Sequence, residues 1–250
     1  MSESFSDVHA RLASAQKGHA RGAPAYSVYV NRRLGRVFAA AAYRWGWTPD
    51  GVTALSAAHT FAGLVVLLAL PAAWWTGLLV AILLALGYAW DSADGQVARL
   101  RGGGSLAGEW LDHFVDAIKI AALHLAVLVA LWWHTPLRDT SFPDTAWLLV
   151  PIGFSIVGVV TFFGMLLNDL LKGKAGVPST HARGGGTAGR SLLLLPTDFG
   201  VLCLVFVLWG WTTGFLWAYA ALALANAAFL GLAAVRWFRE IRAIDRATVL

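Results

Sequence analysis

Six apolar stretches, each long enough to cross a lipid bilayer, constrain the fold of this sequence more than any other feature. They fall near residues 52–70, 72–90, 109–133, 146–168, 192–210 and 212–235. A helix needs about 20 apolar residues to span the hydrocarbon core. Apolar residues make up 58% of the chain and charged residues only 13%, whereas a soluble domain carries about 25% charged residues. The sequence therefore predicts an all-α fold, a bundle of six transmembrane helices.

The positive charges fall on one side of this predicted bundle. All of the 19 lysines and arginines, apart from Lys119 and Arg138, precede the first stretch, follow the sixth, or lie in the second and fourth connections. Because basic loops stay in the cytoplasm, we expect a multi-pass protein of the cell membrane with both termini and the second connection in the cytoplasm. This orientation accounts for the net charge of +5, so we expect no nucleic-acid partner.

The same pattern divides the chain into three regions. Residues 1–48 form a cytoplasmic N-terminal segment, residues 49–238 the six-helix transmembrane domain, and residues 239–250 a cytoplasmic C-terminal tail. Within the N-terminal segment, residues 28–45 interleave basic and apolar side chains at helical spacing. This predicts a juxtamembrane amphipathic helix that lies on the anionic membrane lipids of the cytoplasmic leaflet.

Four aspartates stand where the second connection meets the apolar stretches on either side of it. Asp91 and Asp94 are three residues apart and Asp112 and Asp116 are four apart, so each pair shares one face of a helix. Carboxylates in membrane segments are costly unless they bind something, and four brought together repel each other. Oxygen ligands favour hard divalent cations such as Mg²⁺ or Mn²⁺. Two such ions about 4 Å apart can bind a diphosphate, so the aspartates predict a two-metal site.

The residues between the two pairs suit a ligand that contains phosphate. Gly95, Ala98 and Gly108 are small and permit the close approach of a ligand or of a neighbouring helix. Arg99 offers a planar, charged fork for phosphate oxygens. In the alternative interpretation the aspartates only cap helices and pair with Arg99 and Arg101, but the spacing of four carboxylates favours a binding site.

These positions resemble the signature of a known family. The pattern Asp91-x2-Asp94-Gly95-x2-Ala98-Arg99-x8-Gly108-x3-Asp112-x3-Asp116 matches in full that of the CDP-alcohol phosphotransferase (CDP-alcohol phosphatidyltransferase) family of membrane enzymes. The segment 48–53, TPDGVT, is similar to the start of the family's first span, although asparagine more often stands in place of Asp50. The family's six transmembrane helices, preceded by a cytoplasmic amphipathic helix, also resemble the predicted bundle.

The resemblance implies a role for each position of the pattern. The ligands of two divalent cations, Mg²⁺ or Mn²⁺, would be Asp91, Asp94, Asp112 and Asp116. The residues around the CDP moiety would be Asp94, Gly95, Ala98, Arg99 and Gly108. An acceptor hydroxyl, deprotonated by Asp116 as the catalytic base, would attack the phosphorus distal to cytidine, and CMP would leave. The resemblance also implies a homodimer.

The function implied by the resemblance is that of an integral-membrane CDP-alcohol phosphotransferase of phospholipid biosynthesis. It would transfer a phosphatidyl group from CDP-diacylglycerol to an alcohol acceptor. One alternative is the transfer of a phospho-alcohol from a soluble CDP-alcohol to a lipid or polyol. An alternative of another class is a non-catalytic transporter or membrane scaffold that uses the aspartates as a cation site.

Candidate residues for the acceptor lie outside the pattern. Lys119 follows Asp116 by three residues and shares its helical face, and a lysine within a membrane span is a functional candidate. The full set of candidates for binding the acceptor or a phosphate is Thr53, Lys119, Lys172, Lys174, Arg183 and Arg190. For Lys119 we expect above all the role of an electrostatic partner of Asp116 or of a bound phosphate. The alternative for the other basic residues is that they only set the topology. The family's phosphatidylinositol-phosphate and phosphatidylglycerol-phosphate branches carry further arginine motifs, of which this chain has no clear copy, so the acceptor stays unassigned.

Overall fold

All the regular secondary structure in the described residues is helical. This computed structural model describes residues 4–14, 23–139, 144–178 and 187–248. The helices are α1 (Phe5–Ser14), α2 (Arg32–Arg44), α3 (Pro49–Ala69), α4 (Trp74–Leu100), α5 (Leu106–His134), α6 (Leu149–Lys174), α7 (Ala188–Leu193), α8 (Phe199–Val205) and α9 (Thr212–Thr248). A π-helical turn (Ser27–Asn31) leads into α2, and 3-10 turns cover Pro136–Asp139, Asp144–Leu148, Leu195–Thr197 and Phe206–Leu208. The predicted all-α fold is confirmed.

Within the described ranges, five helices are long and apolar enough to cross a membrane. They are α3, α4 and α5 over their whole lengths, α6 together with the turn before it (Asp144–Lys174), and α9 over Thr212–Arg246. A further apolar helix, Phe199–Leu208, is shorter. The chain is therefore a multi-pass membrane protein. Because α9 runs on to Thr248, the predicted tail 239–250 begins as a continuation of this helix.

The fifth predicted span, residues 192–210, is broken into short pieces. α7 and α8 are separated by a turn around Pro196. Proline explains this break, because it has no N–H for a continuing helix and disfavours helical geometry in the residue before it. Asp198 then caps α8 by accepting the Gly200 N–H at 3.0 Å. The apolar helix that follows is about 15 Å long, half of the hydrocarbon core, so the count of six spans holds only approximately.

Helices α3, α4 and α5 form the centre of the bundle. Between 39% and 44% of the residues in their spanning windows are buried, against 11% in those of α6 and α9. α3 and α4 approach closely at Gly87, where a Cβ would lie 2.5 Å from Thr60 Oγ1. Small residues bring membrane helices together in this way. α6 and α9 lie on the outside and expose apolar side chains such as Phe163 and Leu224, as helices that face lipid do.

The predicted N-terminal helix is present as the π-helical turn and α2. Leu34 and Val37 are exposed on one face of α2, whereas Gly35 is buried on the opposite face, which packs against α4. A Cβ on Gly35 would lie 2.8 Å from the Ser92 Cβ, so glycine is needed for this close approach. α2 is therefore fixed to the turn of α4 that carries Asp91.

Helix α4 continues past residue 90, where its apolar stretch ends in the sequence. It ends at Leu100, so both aspartate pairs lie within helices. In the short connection to α5, Gly102 and Gly103 adopt positive φ angles of 96° and 131°, which glycine tolerates without strain. The Ser105 hydroxyl then accepts the Gly108 N–H at 3.0 Å and caps α5. As a result, a tightly turned helical hairpin carries all four aspartates.

Candidate active site

Three of the four predicted metal-binding aspartates converge. One carboxylate oxygen from each of Asp91, Asp112 and Asp116 lies within 4.8 Å of the other two. Asp91 lies on α4, whereas Asp112 and Asp116 lie one turn apart on α5. All three residues are half-buried, so the cluster can be reached from outside the protein. A set of carboxylate oxygens at this spacing fits a divalent cation such as Mg²⁺ or Mn²⁺.

The fourth aspartate, Asp94, is oriented by helix α3 and is not part of this group of three. It is deeply buried, with 7% of its surface exposed. The Thr53 hydroxyl donates to Asp94 Oδ2 at 2.8 Å, and the Gly95 N–H donates to Asp94 Oδ1. Thr53, an acceptor candidate in the sequence, thus contacts one of the predicted metal ligands.

A lysine on α5 forms hydrogen bonds with the aspartate cluster. Lys119 Nζ donates to Asp91 Oδ1 at 2.5 Å and to Asp116 Oδ1 at 3.0 Å. It also donates to Ser56 Oγ at 3.0 Å. The lysine is buried, with 8% of its surface exposed. Its ammonium charge therefore offsets part of the repulsion among the carboxylates.

Ser56 on α3 also belongs to the site, although the aspartate pattern did not indicate it. Its hydroxyl lies 2.8 Å from the Gly87 carbonyl and 3.2 Å from Asp91 Oδ1. A signal was present in the sequence, because Thr53, Ser56 and Thr60 recur at helical spacing on an otherwise apolar helix. All three are buried. This polar stripe is the side of α3 that faces the aspartate-bearing end of α4.

The positions predicted to surround the CDP moiety lie on the same helical hairpin. Gly95 and Arg99 are both exposed, and a Cβ on Gly95 would lie 3.7 Å from Arg99 Nη1. Ala98 is half-buried in the same part of α4. At Gly108 on α5, a Cβ would lie 3.2 Å from Asp50 Oδ1. The hairpin thus presents a guanidinium beside small residues, an arrangement that suits phosphate oxygens.

The basic acceptor candidates on α6 and α7 differ in burial. Lys172 on α6 is buried, with 6% exposed, and pairs with Glu240 Oε2 of α9 at 2.5 Å. No local pattern could have predicted this partner, which is 68 residues away in the sequence. Lys174 and Arg190 are exposed. Arg183 lies outside the described residues.

A protein-family model matches most of this chain. The model, CDP-alcohol phosphatidyltransferase, covers residues 47–233 and so includes all four aspartates. The chain belongs to the CDP-alcohol phosphatidyltransferase family. The family expected from the aspartate pattern is thereby confirmed.

Several relatives resemble this member of the CDP-alcohol phosphatidyltransferase family. Phosphatidylinositol phosphate synthase of Mycolicibacterium smegmatis is 33% identical over 101 residues, which are 40% of this chain and 42% of that protein. The match thus spans less than half of the relative's length. A crystal structure of Mycobacterium tuberculosis phosphatidylinositol phosphate synthase with manganese and citrate has 24% identity and a TM-score of 0.48, covering 82% of this chain and 87% of that one. The crystal structure of the same synthase with CDP-DAG bound has 23% identity and a TM-score of 0.48, covering 85% of this chain and 93% of that one.

Proposed function

We propose that the chain is a membrane enzyme of phospholipid biosynthesis that transfers the phosphatidyl group of CDP-diacylglycerol to a hydroxyl acceptor and releases CMP. The observation that carries this proposal is the convergence of Asp91, Asp112 and Asp116 on membrane-spanning helices of a member of this family. A lipid-linked donor fits this placement, because its acyl chains can stay in the bilayer while its diphosphate meets the carboxylates. The relative named phosphatidylinositol phosphate synthase supports a phosphatidyl product.

The converging aspartates, with Asp94 beside them, would hold two divalent cations, Mg²⁺ or Mn²⁺. Such ions neutralise the donor diphosphate and stabilise its leaving oxygen. The chain's own residues supply the rest of the site. Arg99 would bind phosphate oxygens through its guanidinium fork. Gly95, Ala98 and Gly108 would leave room for the CDP moiety.

Asp116 would accept the proton of the acceptor hydroxyl. The acceptor oxygen forms a bond to the phosphorus that carries diacylglycerol, and the bond from that phosphorus to the oxygen of CMP breaks. The proton ends on the Asp116 carboxylate and CMP leaves with the bonding electron pair. The position of Asp116 in the half-buried, accessible cluster supports this role.

The acceptor would be bound near the cytoplasmic ends of α3, α5 and α6. Thr53 and Lys119 contact the aspartates directly. Lys174 and Arg190 are exposed and available to an anionic acceptor or headgroup, and Lys172 and Arg183 remain candidates from their place in the sequence. The distribution of lysine and arginine supports a cytoplasmic site and cytoplasmic termini. The family resemblance supports a homodimer, which sedimentation of the detergent-solubilised protein would test.

The experiment that tests the proposal is release of CMP from different donors. Purified protein in detergent is incubated with Mn²⁺, a panel of alcohols, and either CDP-diacylglycerol or CDP-linked small alcohols, and CMP and new lipids are measured by mass spectrometry. We expect CMP from CDP-diacylglycerol. Asp116→Asn should lower the rate by about 10²- to 10⁴-fold, the usual contribution of a general base. Asp144→Asn, a carboxylate in the turn before α6, should leave the rate unchanged.

The outcomes separate the alternatives. CMP from soluble CDP-alcohols alone would show the second donor class. Metal binding without CMP from any donor would show a transporter or scaffold and overturn the proposal. Wild-type activity in Asp116→Asn would refute the role given to this carboxylate.

A further inference from the structure

Lys119 stands out because it competes for the carboxylates that a metal would use. Its Nζ is hydrogen-bonded to Asp91 Oδ1 and Asp116 Oδ1, and these residues belong to the group of three whose oxygens lie within 4.8 Å of one another. An ammonium group has three donors. Here two of them serve the carboxylates and the third serves Ser56 Oγ. All of the donors of Lys119 are therefore directed into the cluster.

The position of Lys119 is fixed by the fold. It lies one turn after Asp116 on α5, and both Asp91 on α4 and Ser56 on α3 receive its hydrogen bonds. Only 8% of its surface is exposed, so water screens its charge poorly. A charge held this close to two carboxylates contributes far more than a surface ion pair. One lysine thus links the three central helices through the candidate metal site.

We propose that Lys119 is a built-in cation of the aspartate cluster. Its ammonium offsets one of the two negative charges of Asp91 and Asp116 before a divalent ion binds, and the divalent ion must displace it from them. Ser56 offers the ammonium a neutral acceptor that stays available after displacement. Lys119 would therefore stabilise the metal-free protein and weaken metal binding at the same time. This inference rests on the proposed function only in taking the aspartates as metal ligands.

The test is Mn²⁺ binding to Lys119→Met, measured from the electron paramagnetic resonance signal of free Mn²⁺ over a titration of the purified protein. Methionine keeps much of the length of the side chain and removes its charge. We expect Mn²⁺ to bind about tenfold more tightly or better, because loss of one competing charge at this distance is worth at least that factor. The metal-free variant should unfold at a lower temperature than the wild type. Mn²⁺ should raise its unfolding temperature by more than it raises that of the wild type.

Two further variants test whether the change in Mn²⁺ affinity comes from the charge of Lys119 and from its position in the cluster. Lys119→Arg keeps the positive charge and should bind Mn²⁺ with an affinity close to that of the wild type. Lys172→Met removes another buried lysine with a carboxylate partner, Glu240, and should lower stability without changing Mn²⁺ affinity. An unchanged affinity in Lys119→Met would overturn the inference. So would a variant that fails to fold even with saturating Mn²⁺, because the metal should then replace the missing charge.

The inference about Lys119 and the proposed function can be refuted independently, because Mn²⁺ binding and CMP release are measured separately. If Lys119→Met binds Mn²⁺ more tightly while the wild type releases no CMP from any donor, the inference holds and the proposed function is wrong. If the wild type releases CMP but Lys119→Met shows wild-type Mn²⁺ affinity, the proposed function holds and the inference is wrong.

Discussion

Thr53→Val tests how far the site depends on the hydrogen bond between α3 and Asp94. The hydroxyl donates to Asp94 Oδ2 at 2.8 Å, and only 3% of Thr53 and 7% of Asp94 is exposed, so water cannot easily replace the lost bond. A hydrogen bond to a charged group contributes about 1.5–3 kcal/mol. Because Asp94 is proposed to bind metal and the CDP moiety, we expect kcat/KM for CMP release to fall by roughly 10- to 150-fold.

Two measurements check this prediction. The first is CMP release at subsaturating CDP-diacylglycerol with saturating Mn²⁺. The second is unfolding, which the single cysteine of the chain, Cys203, can report through a thiol-reactive dye because it is buried in the folded protein. A loss of about 1.5–3 kcal/mol from the free energy of unfolding should lower the unfolding temperature of Thr53→Val by about 3–12 °C.

Thr161→Val on α6 is the matched control. Its hydroxyl donates at 2.7 Å to the Val157 carbonyl of its own helix, so the same chemical change removes no bond to a carboxylate. We expect kcat/KM close to that of the wild type. The reasoning is refuted if Thr53→Val keeps wild-type kcat/KM, or if Thr161→Val loses as much activity.

Three further variants test the packing and the backbone geometry of the bundle with the same cysteine assay. Gly77→Ala would place a Cβ 2.2 Å from the Phe206 carbonyl oxygen, and the forced backbone shift should cost about 1–3 kcal/mol. Tyr219→Phe removes the hydroxyl that lies 2.5 Å from His124 Nδ1 in the core and should cost about 1–3 kcal/mol without changing Mn²⁺ affinity. Gly102→Ala, at a φ of 96° with open space around it, should cost about 1–2 kcal/mol from backbone strain alone. A wild-type unfolding temperature in any of the three would contradict the contact or the backbone strain assigned to it.

The aspartate site could be predicted because its geometry is mostly local. Asp91 and Asp94 share a face of one helix, Asp112 and Asp116 share a face of the next, and a short connection joins these helices, which both pack against α3. Helical periodicity and hydropathy are sufficient for this conclusion. They also predicted that Lys119 would lie on the face of Asp116.

Contacts between distant helices could not be predicted in this way. Ser56 contributes to the site through the face that α3 turns toward α4. The stripe of Thr53, Ser56 and Thr60 marks the polar face of α3 in the sequence, but it does not specify which helix that face meets. Lys172 is an exposed basic residue by sequence pattern, yet it is buried against Glu240. Tertiary packing decides both cases. The break in the fifth predicted span is different, because Pro196 signals it and an average of hydropathy over a window conceals that signal.

The most direct test of the central claim is the balance between CMP and new phospholipid. The purified protein is given CDP-diacylglycerol and a panel of alcohols, and both products are quantified in the same reaction, before and after removal of divalent ions by a chelator. The account predicts equal amounts of CMP and of one new phosphatidyl lipid, a loss of both with the chelator, and recovery with Mn²⁺. CMP without a matching lipid, or equal product formation in the chelated protein, would contradict it.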